Sequence, residues 1–229
     1  MKLICLTGID GAGKTTLAKN LVKALRDQGR SAVYIYGRTF PVVSRLLMTL
    51  GRATLLRGHD PWNHYEDYHS NKKRVMRAPW LKWVYTGAIW IDYYLQIWFK
   101  LLPWRFSNRT VVLDRYVYDT VINDLSVHLS YSVAQTDRAI NRGLRWLPRP
   151  DVTFLIDLPP EVAFARKTDV PHIAYLTERS ECYLRLASRP EVVRINGEET
   201  PDALLQAILS VVSGLMISSE KQPQAFIDT

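Results

Sequence analysis

A chain of 229 residues that is 47% hydrophobic can bury a full core, and it fits one domain. The formal charge of +8 points to anionic partners, but the 30 basic residues are scattered without a long run, which favours nucleotide phosphates over nucleic acid or a membrane face. Cys5 and Cys182 show no paired spacing, which excludes a disulfide framework and suits reduced, packed thiols of a cytoplasmic protein.

The first predicted element is KLICLT, Lys2 to Thr7: short, apolar and without helical period, as expected of a strand buried on both faces of a parallel sheet. A strand and the loop after it occupy the N-terminus, so no secretory signal is expected. That loop, GIDGAGKT (residues 8–15), matches G-x-x-x-x-G-K-[ST] in full. Gly8, Gly11 and Gly13 let the backbone curl so that successive amides point inward, and the helix behind adds the positive end of its dipole. The segment Gly8, Ile9, Asp10, Gly11, Ala12, Gly13, Lys14, Thr15 and Thr16 is therefore expected to cradle the phosphates of a nucleoside triphosphate. Lys14 would neutralise the β- and γ-phosphates, and the Thr15 hydroxyl would ligate Mg²⁺. A plain strand-to-helix turn explains the glycines but not a lysine next to a threonine. From Thr15 onward Leu17, Ala18, Leu21, Val22 and Leu25 share one side of a helix, which Gly29 ends.

Strand-like runs follow at residues 31–36, 110–114, 151–157 and 191–196, separated by helix-length segments, which implies right-handed crossovers and a doubly wound α/β parallel sheet. Ligands in such sheets collect at the carboxyl ends of strands, where the phosphate loop, Gly37-Arg38, Asp114-Arg115 and Asp157 fall. Between the second and third runs, residues 52–77 read as an insertion-like region. His59, His64 and His69 stand there among acids in no recognised metal-ligand spacing, and Lys72, Lys73, Arg74 and Arg77 offer positive potential or a solvated face. Trp80 to Phe106 carries five of the seven tryptophans and is apolar on nearly every side around Trp90 to Leu102, as in a core helix or one shared with a second subunit. Lys82, Asp92 and Lys100 interrupt it, so no stable membrane insertion is expected. VVLDRY (111–116) ends the third strand with a carboxylate, a guanidinium and a phenol. Asp114 is placed to hold the Mg²⁺ shell or to accept a proton, and Arg115 to fork onto an anionic acceptor. A strand-terminal salt bridge is the bland alternative. After Met216 the composition turns polar, so a single domain over 1–216 and a flexible tail over 217–229 are expected.

GIDGAGKTT, DRY and PDVTFLIDLPPEVAFARK (150–167), in that order, resemble the thymidylate kinases of the nucleoside monophosphate kinase group, and the resemblance runs to about residue 212. It implies a five-stranded parallel sheet of the P-loop nucleotide kinase type, a short mobile lid at about 167–180, ATP and Mg²⁺ as cofactors, a homodimer formed through helices, and phosphoryl transfer from ATP to dTMP. Asp10 resembles the residue that reaches the acceptor sugar; Asp114 would act near Mg²⁺, Arg115 would grip the acceptor phosphate, and Tyr116 would close the sugar pocket. Arg166 matches the start of the lid. Because position 11 is glycine and not basic, the arginine that neutralises the transition state would come from the lid, with Arg166, Lys167 and Arg179 as candidates; Arg179 is equally suited to a surface pairing with Glu178 and Glu181.

The departures concern the acceptor. Where the family carries R-E-P after strand two, this chain has YGRTFP, which keeps only the guanidinium of Arg38. Tyr93 stands where the family arginine reads thymine, and Ile89 where an aromatic ring stacks on it. Asp119 and Asp124 replace the serine and glutamine that follow DRY, and only sixteen residues separate Arg166 from Tyr183, without the bacterial D-R-x-E. Two rival functions follow: a kinase of the same fold acting on another nucleotide, a nucleoside or a sugar-like metabolite, and a nucleotide-binding protein that uses the tryptophan helix to hold a partner.

Overall fold

The computed structural model describes residues 1–40, 79–167 and 172–220, together with residues 42, 45 and 49. The expectations for 52–77, for the middle of the lid and for 221–229 lie outside the described residues. Five strands, β1 (Lys2–Thr7), β2 (Ala32–Tyr36), β3 (Thr110–Asp114), β4 (Val152–Asp157) and β5 (Val192–Asn196), pair in parallel in the order β2-β3-β1-β4-β5. The three inner strands are buried almost throughout, as continuous apolar runs in a covered parallel sheet should be, while β2 and β5 at the edges are only partly covered. The chain winds from β1 to one edge and then returns past it to the other. The crevice therefore opens at the carboxyl end of β1. Register places Asp114 level with Leu6 on one side and with Tyr36 on the other, so the tips of β1, β2 and β3 share one rim.

Helix α1 (Lys14–Asp27) buries the expected stripe of Leu17, Ala18, Leu21, Val22 and Leu25. Helix α2 (Pro79–Leu101), continued by a 3-10 turn over Leu102–Trp104, has two characters. One face buries Tyr85, Ile89, Trp90, Tyr93, Ile97 and Leu101 in the core, each such side chain worth about 1.5–3 kcal/mol. The other face exposes Trp83, Ile91, Leu95 and Phe99 to solvent. Among the described residues no helix is long and apolar enough to cross a membrane.

Beyond β3 the chain forms α3 (Val117–Thr120), a π-helical stretch (Val121–Ser126) and α4 (Val127–Leu129), then α5 (Val133–Trp146). Ser132 and Gln135 make a reciprocal capping box at the start of α5. Helix α6 (Pro160–Ala165) follows β4, α7 (Ile173–Leu184) precedes β5, and α8 (Pro201–Glu220) is the last element among the described residues. The polar composition after Met216 does not stop α8, which runs four residues further, to Glu220.

Candidate active site

The donor side of the crevice is mostly main chain. The amide of Ala12 closes a turn onto the carbonyl of Ile9 (3.2 Å), and the first helical bond of α1 runs from Leu17 to Gly13 (3.0 Å). The amides between them open a helix without intrahelical acceptors, and the first turn of α1 carries no acidic residue to compete for them. Gly11 has φ +93°, and a Cβ there would lie 2.6 Å from the carbonyl oxygen of Ala163 on α6. The glycine is thus imposed by packing as well as by conformation. Lys14 is buried, and its Nζ donates to the carbonyls of Gly8 (2.7 Å) and Ile9 (2.6 Å). Burial and the nearby Arg115 hold its pKa down at about 8, against the pull of Asp119, Asp10 and Asp114.

Asp114 faces this loop. Its Oδ2 accepts from Thr15 Oγ1 (2.6 Å) and from the Tyr34 hydroxyl (2.9 Å), while its Oδ1 is buried with no donor among the described residues. An orphaned carboxylate oxygen next to a threonine hydroxyl at the end of a phosphate loop is a donor set that suits a hard cation. Thr15 and Asp114 therefore fit the expected Mg²⁺.

The acceptor side is assembled from side chains. Arg115 has φ +73°, an unusual conformation for a non-glycine residue and one that marks strained loops at functional sites. Its amide donates to Leu6 (2.9 Å), and its carbonyl lies so close to Gly37 that a Cβ at that position would sit 2.0 Å away. This contact explains the glycine of YGRTFP. The Arg115 guanidinium donates to Asp10 Oδ1 (2.6 Å) and lies 3.9 Å from Asp119, while its Nε and Nη1 are buried without hydrogen-bond acceptors among the described residues. Although burial pushes the Asp10 carboxyl up, Arg115 and Lys14 hold it well below the usual carboxylate range. Asp119 is fully buried; it accepts from Thr7 Oγ1 (2.9 Å), the Tyr116 amide (3.1 Å) and the Tyr183 hydroxyl (2.9 Å), and its pKa is raised by burial despite Arg115 and Lys14.

Lys14, Thr15, Asp10, Asp114 and Arg115 are thus brought together as expected. Others are not. Tyr93 and Tyr116, expected on the acceptor pocket, have no exposed surface: their rings tilt against each other at 6.4 Å in the core, and the Tyr116 hydroxyl donates to the carbonyl of Pro148 (2.9 Å). Apolar packing beneath the DRY loop takes both of them. Arg38 lies at the rim but is held by Asp124 (3.1 Å), one of the two acids that follow DRY. Arg166 is exposed and donates to the carbonyl of Gly197 at 3.5 Å, on the β5 side. Arg179 is not on the surface: it is 2% exposed, its Nε donates to Asn123 Oδ1 (3.0 Å), and its guanidinium lies 3.5 Å from the ring centre of Tyr175. Asp157 pairs with Arg194 across β4 and β5.

Tyr34, Tyr175, Asn123 and Tyr183, none of them expected from the sequence, also contact this cluster. The spacing of Tyr175, Arg179 and Tyr183, one face of a helix, was the available signal. Tyr175 reaches Asp10 Oδ2 at 3.4 Å.

A family model described as adenylylsulphate kinase matches residues 1–54. A probable thymidylate kinase of Sulfolobus acidocaldarius is 26% identical, covering 93% of this chain and 96% of its own length. A thymidylate kinase of Leptospira borgpetersenii is 25% identical over 91% of each chain, and a probable thymidylate kinase of Thermococcus kodakarensis is 27% identical over 93% of this chain and 98% of its own. Over nearly its whole length this chain resembles the thymidylate kinases, and its five-stranded sheet with flanking helices is the fold of the phosphate-loop kinases.

Proposed function

We propose that this protein is an ATP-dependent nucleotide kinase that transfers the γ-phosphoryl of MgATP to a nucleoside monophosphate, with dTMP first among the candidates. One observation carries the reading. Two short contacts, Thr15 to Asp114 and Arg115 to Asp10, each 2.6 Å, fasten the phosphate loop to the DRY loop across a single crevice. Donor and acceptor would then lie on facing walls, the arrangement an in-line displacement needs.

Lys14 exchanges the carbonyls of Gly8 and Ile9 for donor phosphate oxygens, and the amides at the start of α1 bind the remainder. Arg115, with two unused donors, turns toward the acceptor phosphate. An acceptor oxygen attacks the γ-phosphorus, the bond to the bridging oxygen of the β-phosphate breaks, and ADP leaves with that electron pair. A phosphate monoester is mostly ionised at neutral pH, its second pKa being about 6, so no general base is required. Asp114 is then free for its other role. Thr15 and Asp114 would hold Mg²⁺, which when bound would supply positive charge to offset that of the donor phosphates. The reading comprises one kinase domain over residues 1–216, working in the cytoplasm without nucleic acid. The exposed apolar stripe of α2 would be the homodimer face, and Phe99→Glu should give monomers by sedimentation.

Coupled ADP release with dTMP, dUMP and other monophosphates tests the assignment. Stimulation by dTMP above the rest is expected. Tight MgATP binding without stimulation by any acceptor would instead identify a nucleotide-binding interaction protein. The burial of Tyr93 and Ile89, together with the Asp124 carboxylate on Arg38, favours as second reading a kinase of another nucleotide, a nucleoside or a sugar-like acceptor.

A further inference from the structure

Three arginines, Arg38, Arg115 and Arg179, lie on or just behind the wall proposed for the acceptor, Arg179 through Tyr175, which reaches Asp10, and their partners differ. Arg38 is paired with Asp124 at 3.1 Å, and Arg115 with Asp10 at 2.6 Å and Asp119 at 3.9 Å. Arg179 is the most deeply buried of the three, yet among the described residues it has no carboxylate partner. Its Nε donates to Asn123 Oδ1 (3.0 Å) and its Nη1 to the Tyr175 carbonyl (3.0 Å), while its plane rests on the Tyr175 ring. The orientation of Asn123 follows from its neighbours. Its Nδ2 donates to the Tyr183 hydroxyl and to the Asp119 carbonyl, both at 2.9 Å, which leaves the amide oxygen for a guanidinium that can only donate. A carboxamide at this place fixes the arginine and leaves its charge whole.

The surroundings point the same way. Tyr175, Arg179 and Tyr183 lie four residues apart on α7, and each reaches the crevice wall: Tyr175 to Asp10 (3.4 Å), Arg179 to Asn123, and Tyr183 to Asp119 (2.9 Å). Asn123 sits within the π-helical stretch, a local widening common at functional sites. We propose that Asn123 is a positioning residue for phosphoryl transfer: it holds Arg179, without neutralising it, at the acceptor side of the crevice, where that guanidinium meets the incoming phosphate. The proposal rests on the kinase reading above.

The test compares wild type with Asn123→Ala, Asn123→Asp, Arg179→Ala, Arg179→Lys and the double variant Asn123→Ala/Arg179→Ala. ADP release is followed with dTMP, or with the best monophosphate of the screen. Asn123→Ala is expected to lower kcat/KM for the acceptor about 10- to 100-fold, with KM for MgATP within about twofold. Asn123→Asp, which keeps an acceptor for Nε but supplies a counter-charge, should lose a similar amount. The double variant should be no worse than Arg179→Ala alone. Wild-type activity in Asn123→Asp, or fully additive losses, would overturn the proposal. Should Asn123→Ala not fold, Arg179→Lys decides: it keeps the charge and loses the fork, and wild-type kinetics there would refute the role.

An acceptor-free measurement separates this proposal from the kinase reading itself. In ¹⁵N-edited spectra the Arg179 Nε–H should be protected in wild type and shift on titration with inorganic phosphate. In Asn123→Ala it should exchange freely and shift little. A signal that is equally protected and equally phosphate-sensitive in both proteins would sink the inference even if every monophosphate were turned over. Failure of all acceptors with an intact Arg179 response would overturn only the kinase assignment.

Discussion

The donor wall of the crevice comes from one contiguous stretch, residues 8–16, with a single carboxylate at the tip of β3. The wall proposed for the acceptor collects Asp10, Arg38, Arg115, Asn123, Tyr175 and Arg179 from five separate places in the chain. The first wall offers peptide amides, a helix dipole and the Lys14 ammonium, all set by one local spacing. The second offers side chains, each of which needs its own support. Chemistry common to many kinases therefore sits where the backbone does the work, and selectivity sits where a few substitutions can rewrite it.

The largest expected effect breaks the donor wall. Lys14→Ala should lower turnover by about a thousandfold, the scale of removing one preorganised donor to the reacting group, while the thermal midpoint stays near wild type. Turnover within tenfold of wild type would show that the loop is not where the donor binds. Next, Gly37→Ala strikes the acceptor wall through the backbone. The methyl group would meet the Arg115 carbonyl at 2.0 Å, so the DRY loop must move. A loss of about a hundredfold in kcat/KM for the acceptor is expected, with MgATP affinity little changed in calorimetry. If both substrates suffer equally, the two walls are not separable.

A pH titration sharpens the comparison more gently. The pKa of Lys14 lies at about 8 against an ordinary 10.5. Below pH 8 the ammonium is already present; above it the free protein has lost the proton and must take one up to bind phosphate. MgATP affinity should then fall about tenfold per pH unit above 8, with no such slope in Lys14→Met. Fold stability moves the opposite way, because between 8 and 10.5 the unfolded chain binds the extra proton and Lys14 favours folding more as pH rises. The smallest effect is expected from Tyr34→Phe. It removes one of two donors to Asp114 Oδ2 and should change the Mg²⁺ requirement by about two- to fivefold, read from the metal dependence of ADP release.

The same contrast explains what could be read from the sequence. All five strands and the phosphate loop announce themselves because apolar runs and G-x-x-x-x-G-K-[ST] are local patterns. Asp114 and Arg115 were legible because the end of a strand fixes where they point. Tyr93 and Tyr116 are buried, and nothing local in the sequence distinguishes a tyrosine that lines a pocket from one that packs beneath it. The sequence leaves Arg179 equally open as a lid arginine and as a helix-surface residue beside Glu178 and Glu181; its burial depends on Asn123, 56 residues away, and on Tyr175. Asn123 carried no sequence signal, since a single amide acquires meaning only from the helix that packs against it.

The close approach of α6 to the phosphate loop has a consequence for how such an enzyme could be remodelled. With the Ala163 carbonyl 2.6 Å from where a first side-chain atom would stand at position 11, an arginine cannot be grafted there in one step. Moving the positive charge from the far side of the cleft into the nucleotide-holding segment would require α6 to retreat as well. A side chain at position 11 therefore needs a second, compensating change in α6.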